Sequence, residues 1–166
     1  MLNDKYSKET RLLIKWFVVV ALIIFLDQWV KYLIMENISL YEAVYINSFI
    51  NLTHQHNSGA AFSFLADAGG WQRWFLSILA ITVCGYIIFW LYDLRRTAKW
   101  FLPYGLSMIL GGALGNVFDR VRLGYVIDYL QVLIYGWPFP SFNVADAAIT
   151  VGAVMIIIDA ATDKES

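Results

Sequence analysis

The sequence predicts an all-α membrane protein: four transmembrane helices with a small extended or β platform on the outer membrane face. Three observations predict it. Hydrophobic residues make up 60% of the chain and charged residues only 15%, where an average soluble domain has roughly a quarter charged. Four separate stretches are apolar over about the 20 residues that a bilayer core demands. Lysine and arginine fall unevenly among the segments between those stretches, which is how loops take sides of a membrane. A soluble fold fails on the same stretches, because helices that are apolar all round leave no amphipathic layer to cover them. At 166 residues the chain reads as a single membrane domain over 1–166.

The first span is expected over about 16–35, behind a tail carrying Lys5, Lys8, Arg11 and Lys15. Its apolar run is too long for a signal-peptide core and no small-x-small site closes it, so it reads as a retained anchor. The connection over about 36–72 is the expected platform. Within it, Ile38–Thr53 is rich in β-branched and aromatic residues and lacks proline and glycine, which reads as one or two short strands. Asn57-Ser58-Gly59 then supplies turn chemistry.

The second span is expected over about 74–92 and the third over about 100–118, joined by the basic link Asp93–Lys99. Gly111 and Gly115 stand at GxxxG spacing beside Gly112, and Ala148 and Gly152 repeat the small-residue pattern on the fourth span, about 142–161. Such faces let helix backbones approach closely. The stretch Arg122–Tyr135 is apolar with scattered polar residues, and periodicity does not decide between an interfacial helix and a strand. Tryptophan and tyrosine stand at several span ends, as interfacial anchors do.

The N-terminal tail, the Asp93–Lys99 link and the C-terminal tail together hold eight basic residues. The connections on the other side hold two, Arg120 and Arg122. This bias places both termini in the cytoplasm. A net charge of −1 gives no reason to expect nucleic acid, and Cys84 is the sole cysteine, so no intramolecular disulfide forms.

Polar residues in so apolar a chain narrow the chemistry. Asp27 and Lys31 share one helix face at i, i+4 and read as a structural ion pair. Asn116, Asp119 and Arg120 stand at i, i+3, i+4 near the end of the third span, with Asp119 and Arg120 read as a clamp. Asp128 and Asp146 are different, because neither has a cation within four positions. Brought together, two such acids share one proton, which suits general acid/base hydrolysis, a proton relay or a packing role alike. His54 and His56 lack further metal ligands at the usual spacing, so no metal site is expected. No GxSxG motif is present, and none of the serines has an evident base.

Five blocks in chain order carry a resemblance. They are DQ with Lys31 at Asp27–Lys31, NSGAAF at Asn57–Phe62, GGALGNVFDR at Gly111–Arg120, GYVIDYL at Gly124–Leu130 and FNVAD at Phe142–Asp146. This set closely resembles bacterial lipoprotein signal peptidase, or signal peptidase II, over nearly the whole chain. The resemblance implies a four-span aspartic endopeptidase of the bacterial cytoplasmic (inner) membrane. Such an enzyme cleaves diacylglyceryl prolipoproteins just before the lipidated cysteine, at the outer face. It implies Asp128 and Asp146 as the catalytic pair, with Asn57, Gly59, Asn116, Asp119, Arg120, Asn143 and Ala145 supporting. Tyr129 departs from the phenylalanine of many members. Partners are then the prolipoprotein and membrane lipid, with no cofactor and a monomer expected. The runner-up is a small proton-coupled transporter using the same acids as a relay.

Overall fold

The computed structural model of the chain describes residues 2–59, 69–96 and 100–162, with side chains from residue 8 onward. Residues 60–68 of the expected platform, including the Ala60–Phe62 part of NSGAAF, lie outside the described residues, as do Lys99 and Lys164. The elements in chain order are α1 (Leu2–Asn37), β1 (Ala43–Asn47), β2 (Ile50–Asn57), α2 (Gln72–Leu94), α3 (Phe101–Arg122), β3 (Val126–Ile134), β4 (Trp137–Pro138) and α4 (Val144–Thr162). Among the described residues four helices are long and apolar enough to cross a membrane. Each expected span overlaps one of these helices; α1 and α2 run past both expected ends, α3 past its second, and α4 starts two residues late.

Helix α3 packs against each of the other three. Its glycines explain why. A Cβ on Gly112 would lie 2.3 Å from the Ala145 carbonyl oxygen of α4, and one on Gly111 2.9 Å from Ile23 of α1. Lower on the same seam, Gly105 meets Gly152, where a Cβ on the latter would stand 2.5 Å from the Gly105 carbonyl oxygen. Without a hydrophobic driving force between helices in lipid, such close backbone approach is the main source of packing attraction. Farther from the sheet, Trp16, Leu91, Leu106 and Leu110 form the apolar core of α1, α2 and α3.

The sheet is four-stranded and antiparallel in the order β1-β2-β3-β4. The stretch whose periodicity was ambiguous is strand β3. Its reason to be a strand is a partner distant in sequence: β3 pairs with β2 in the register Gln55↔Asp128 and Asn57↔Val126. Local pattern carries no trace of that pairing. Ile127 and Tyr129 of β3 pack on Ile34 and Ile38 at the end of α1, which fixes the near half of the sheet to the bundle.

Candidate active site

The third span ends in Asn116, Asp119 and Arg120, and the fold sends them to different neighbours. Asp119 turns toward α1, where the Lys31 ammonium lies 2.7 Å from it and 2.7 Å from Asp27. Lys31 and Asp27 are fully buried, so one cation neutralises two carboxylates where solvent cannot. Gln28 adds a bond to Asp119 at 2.8 Å, and the Ala145 backbone N–H donates to Asp27 at 3.0 Å. Asp27 thus fastens the first turn of α4 to α1, using an N–H that the helix leaves unpaired.

The expected clamp between Asp119 and Arg120 does not form. Successive positions on a helix diverge by about 100°, so Asp119 meets Lys31 while Arg120 donates to the Gly59 carbonyl at 2.8 Å. The expectation that Lys31 pairs with Asp27 agrees with the geometry, but the pair is two members of a triad whose third, Asp119, comes from α3. Sequence reasoning also passed over Gln28, although it lies inside the DQ block.

Lys31 also donates to the Asn116 side-chain oxygen at 3.1 Å, which orients that amide. Its nitrogen then points at Asp146, 2.8 Å away. Asp146 is in the first turn of α4, and Asn143 is the residue before that helix. The Asn143 side-chain oxygen accepts from the Asp146 N–H at 2.9 Å, and Asp146 accepts from the Asn143 N–H at 3.2 Å. This is a reciprocal capping box. The remaining donor of Asn143, its amide nitrogen, reaches Asp128 at 2.8 Å, and Asn57 reaches the other Asp128 oxygen at 2.9 Å. Asn57 in turn accepts from the Gly59 N–H at 3.0 Å, closing the turn read from the sequence.

The two acids therefore arrive from a strand and a helix and meet at one asparagine. Asp128 is buried. Burial first, and then the nearby charge of Asp146, pushes its carboxyl up to about 7, against opposing bonds from Asn57 and Asn143. Both acids line a cavity of about 740 Å³ with Asn57, Asn116 and Arg120. Its apolar wall includes Ala80 of α2, Ala113 of α3, Ile149 and Val151 of α4, and Phe139 and Phe142 from the segment between β4 and α4. Arg120, more than four positions from either acid in sequence, lines the same cavity as both. The absence of a local cation in the sequence did not carry over into space.

Other expected residues are placed as follows. Ala145 is buried and contributes its backbone. His54 bonds the Ile38 carbonyl at 2.8 Å, and His56 stacks on Tyr125 with ring centroids 3.7 Å apart. Tyr129, the departure from the resemblance, uses its hydroxyl to accept from the Val144 N–H at 3.1 Å. A phenylalanine there would leave that helix-terminal donor unpaired.

Four membrane-length helices and a polar site confined to the sheet end of the bundle define a multi-pass membrane enzyme. The chain belongs to the signal peptidase II family: the family model described as "Signal peptidase (SPase) II" matches residues 19–162. Relatives named lipoprotein signal peptidase include one from Alteromonas mediterranea, 48% identical over 155 residues, which cover 93% of this chain and 84% of the relative. Another, from Cupriavidus necator, is 46% identical over 157 residues, covering 95% of this chain and 87% of that one. A bacterial membrane enzyme solved by the in meso method at 2.3 Å resolution superposes with a TM-score of 0.79 at 30% identity, covering 90% of this chain and 89% of that one.

Proposed function

We propose that this protein removes the signal peptide from diacylglyceryl-modified prolipoproteins, cutting just before the lipidated cysteine, with Asp128 and Asp146 as an aspartic acid/base pair. Family membership supports the reaction. The observation that carries the mechanism is that Asn143 contacts both carboxylates at the wall of one cavity. Crowded, desolvated acids hold one proton between them. The ionised member takes a proton from water, and the resulting hydroxide adds to the scissile carbonyl. The protonated member donates to the carbonyl oxygen, giving a gem-diol. The proton taken from water then passes to the leaving amine, and the diol hands its proton back to the acid that gave it as the C–N bond breaks and the carbonyl re-forms. Asn57, Asn116 and Asn143 hold the carboxylates in place, and Arg120 holds the chain at Gly59 beside the cavity.

The relay reading has less support. Deeper in the bundle, Ser77 and Ser107 spend their hydroxyls on the Arg73 and Pro103 carbonyls of their own helices, where a relay needs polar groups free at several depths. The reading further places the site at the outer face of the bacterial inner membrane, with both termini cytoplasmic and the protein acting as a monomer. Arg73, at the sheet end of α2, raises the smaller basic count to three against eight without reversing the bias. A periplasm-dependent reporter fused after Ser166 should stay silent, and one inserted near Ala68 should be active.

The test of the mechanism is cleavage of a diacylglyceryl prolipoprotein by purified variants of verified fold. Asp128→Asn and Asp146→Asn should each abolish turnover, and the double variant should be little worse, because members of one unit lose function non-additively. Saturating EDTA should leave the wild type active. Substantial turnover by a folded single variant would remove that residue from the mechanism.

A further inference from the structure

Directly across the sheet from Asp128 stands a polar side chain that the acid pair does not use. Gln55 is the cross-strand partner of Asp128 in the β2–β3 ladder. Residues opposite each other in an antiparallel pair point to the same face, with Cβ atoms about 5 Å apart. Asn57 shares that face and reaches Asp128 from the diagonal position. Gln55 stands closer still, yet both Asp128 oxygens are already taken, one by Asn57 and the other by Asn143. Among the described residues the Gln55 amide has no hydrogen-bond partner, and the residue is half-buried. Water solvates such an amide in the free protein, and a peptide can take the place of that water.

The order of the strands shows which part of a substrate passes Gln55. On one side of β3 lies the segment 139–142, which walls the cavity and bonds to β3 through Phe142 and Leu130. On the other side lie β2 and then β1, whose five residues are all exposed. The apolar wall of the cavity, with Ala80, Ala113, Ile149 and Val151, belongs to the helices and suits an apolar signal segment. A peptide whose scissile bond sits at the acids therefore leaves the cavity across β3 toward β2. The part that leaves is the mature segment. Strands lie about 4.8 Å apart and an extended chain advances about 3.3 Å per residue. The peptide thus meets Gln55 about one to two residues beyond the scissile bond.

The chemistry along that path is neutral. No Asp, Glu, Lys or Arg occurs from Ala43 to Gly59, so β1 and β2 have no charge with which to select a side chain. A primary amide carries both a donor and an acceptor, the same pair that a peptide unit presents. Contact through it reads backbone and ignores side chains, which suits mature segments of differing sequence.

We propose that Gln55 is a substrate-binding residue for the mature side of the prolipoprotein: its side-chain amide hydrogen-bonds the backbone of the residue that follows the lipidated cysteine. This inference rests on the peptidase reading above. The contact holds the leaving side of the scissile bond beside Asp128. It is made to a part of the substrate that does not react, so it acts on KM and leaves kcat in place.

The test compares two synthetic substrates with the purified full chain in detergent. One ends at the diacylglyceryl cysteine as a methyl ester, which offers no peptide N–H beyond it. The other continues from that cysteine into a short serine–alanine mature segment. The wild type should show a KM lower by roughly three- to tenfold for the longer substrate, the size of one neutral hydrogen bond. Gln55→Leu should lose that preference, its KM for the longer substrate rising to that for the ester. Gln55→Met, of similar length and also without the amide, should behave alike. Equal KM values for the two substrates in the wild type overturn the proposal whatever the variants do. Retention of the preference by either variant overturns it too. So does an equal fall in kcat on both substrates, because the amide would then act on the acid pair and not on the peptide. Cleavage of neither substrate by the wild type would overturn the peptidase reading itself, and this inference with it.

Discussion

The side-chain amide of Asn143 donates to Asp128 at 2.8 Å, and the same residue caps the helix that carries Asp146. One side chain therefore couples the start of α4 to the strand acid. Two substitutions separate these duties. Asn143→Ala removes the cap, at about 1 kcal/mol, together with the donor to Asp128, so melting temperature and cleavage should both fall. Asn143→Asp keeps a capping oxygen but replaces the donor with a third acid. Its α4 should stay capped while cleavage is lost. Retained cleavage in a folded Asn143→Asp protein would mean that the donor to Asp128 is unimportant.

The legible part of this molecule was the part written in local composition. The four spans follow from apolar length alone, and the Asp27–Lys31 pair from i, i+4 spacing. The GxxxG face of α3 was legible too, though Gly105, which meets Gly152 across the seam, falls outside the motif. What escaped depends on contacts far apart in the chain. Strand β3 exists because β2 pairs with it, and Asp119 faces Lys31 rather than its neighbour Arg120 because helix positions diverge. Arg120 beside the acids follows from the cavity, not from spacing. The blocks of the resemblance named most of these residues without saying who touches whom.

The α3–α4 seam gives a contrast in packing. Gly112→Ala and Gly152→Ala place a methyl group within 2.3 Å and 2.5 Å of facing carbonyl oxygens, whereas a Cβ on Gly85 meets nothing within 4 Å. Overpacking of this kind costs about 1–3 kcal/mol. Thermal unfolding in detergent should show both seam variants destabilised and Gly85→Ala at or slightly above wild type, given alanine's better helix propensity. Gly112→Ala should also slow cleavage, because it pushes Ala145 away and Asp146 with it. Equal stability of Gly112→Ala and Gly85→Ala would show that the helices do not meet as closely as described.

Lys31 sits between Asp27 and Asp119, all three buried. Lys31→Met leaves two buried carboxylates without their cation, a change worth about 3–5 kcal/mol. It also releases the Asn116 amide from its fixed orientation. Restoring balance should recover part of the loss: Lys31→Met with Asp119→Asn should melt above Lys31→Met alone. If the double variant is no more stable, the damage lies in packing rather than in uncompensated charge.

Asp128 makes stability depend on pH in a direction opposite to that of most carboxylates. Burial and the charge of Asp146 raise its carboxyl from the ordinary 3.8 to about 7 in the folded protein. Between those values the folded state binds the proton and the unfolded chain does not. Stability then falls as pH rises, by up to about 1.4 kcal/mol per unit for one group. The contribution is complete below about pH 4 and gone above about 7. Asp128→Asn lacks the titrating group, so its melting temperature should gain on wild type across that window and run parallel outside it. Asp146→Asn, which removes the neighbouring charge, should narrow the window from its alkaline end. Cleavage by wild type should decline as pH passes about 7, where the pair loses the proton that the carbonyl oxygen needs. Parallel melting curves for wild type and Asp128→Asn from pH 4 to 7 would show that Asp128 titrates as an ordinary carboxyl and does not hold the shared proton.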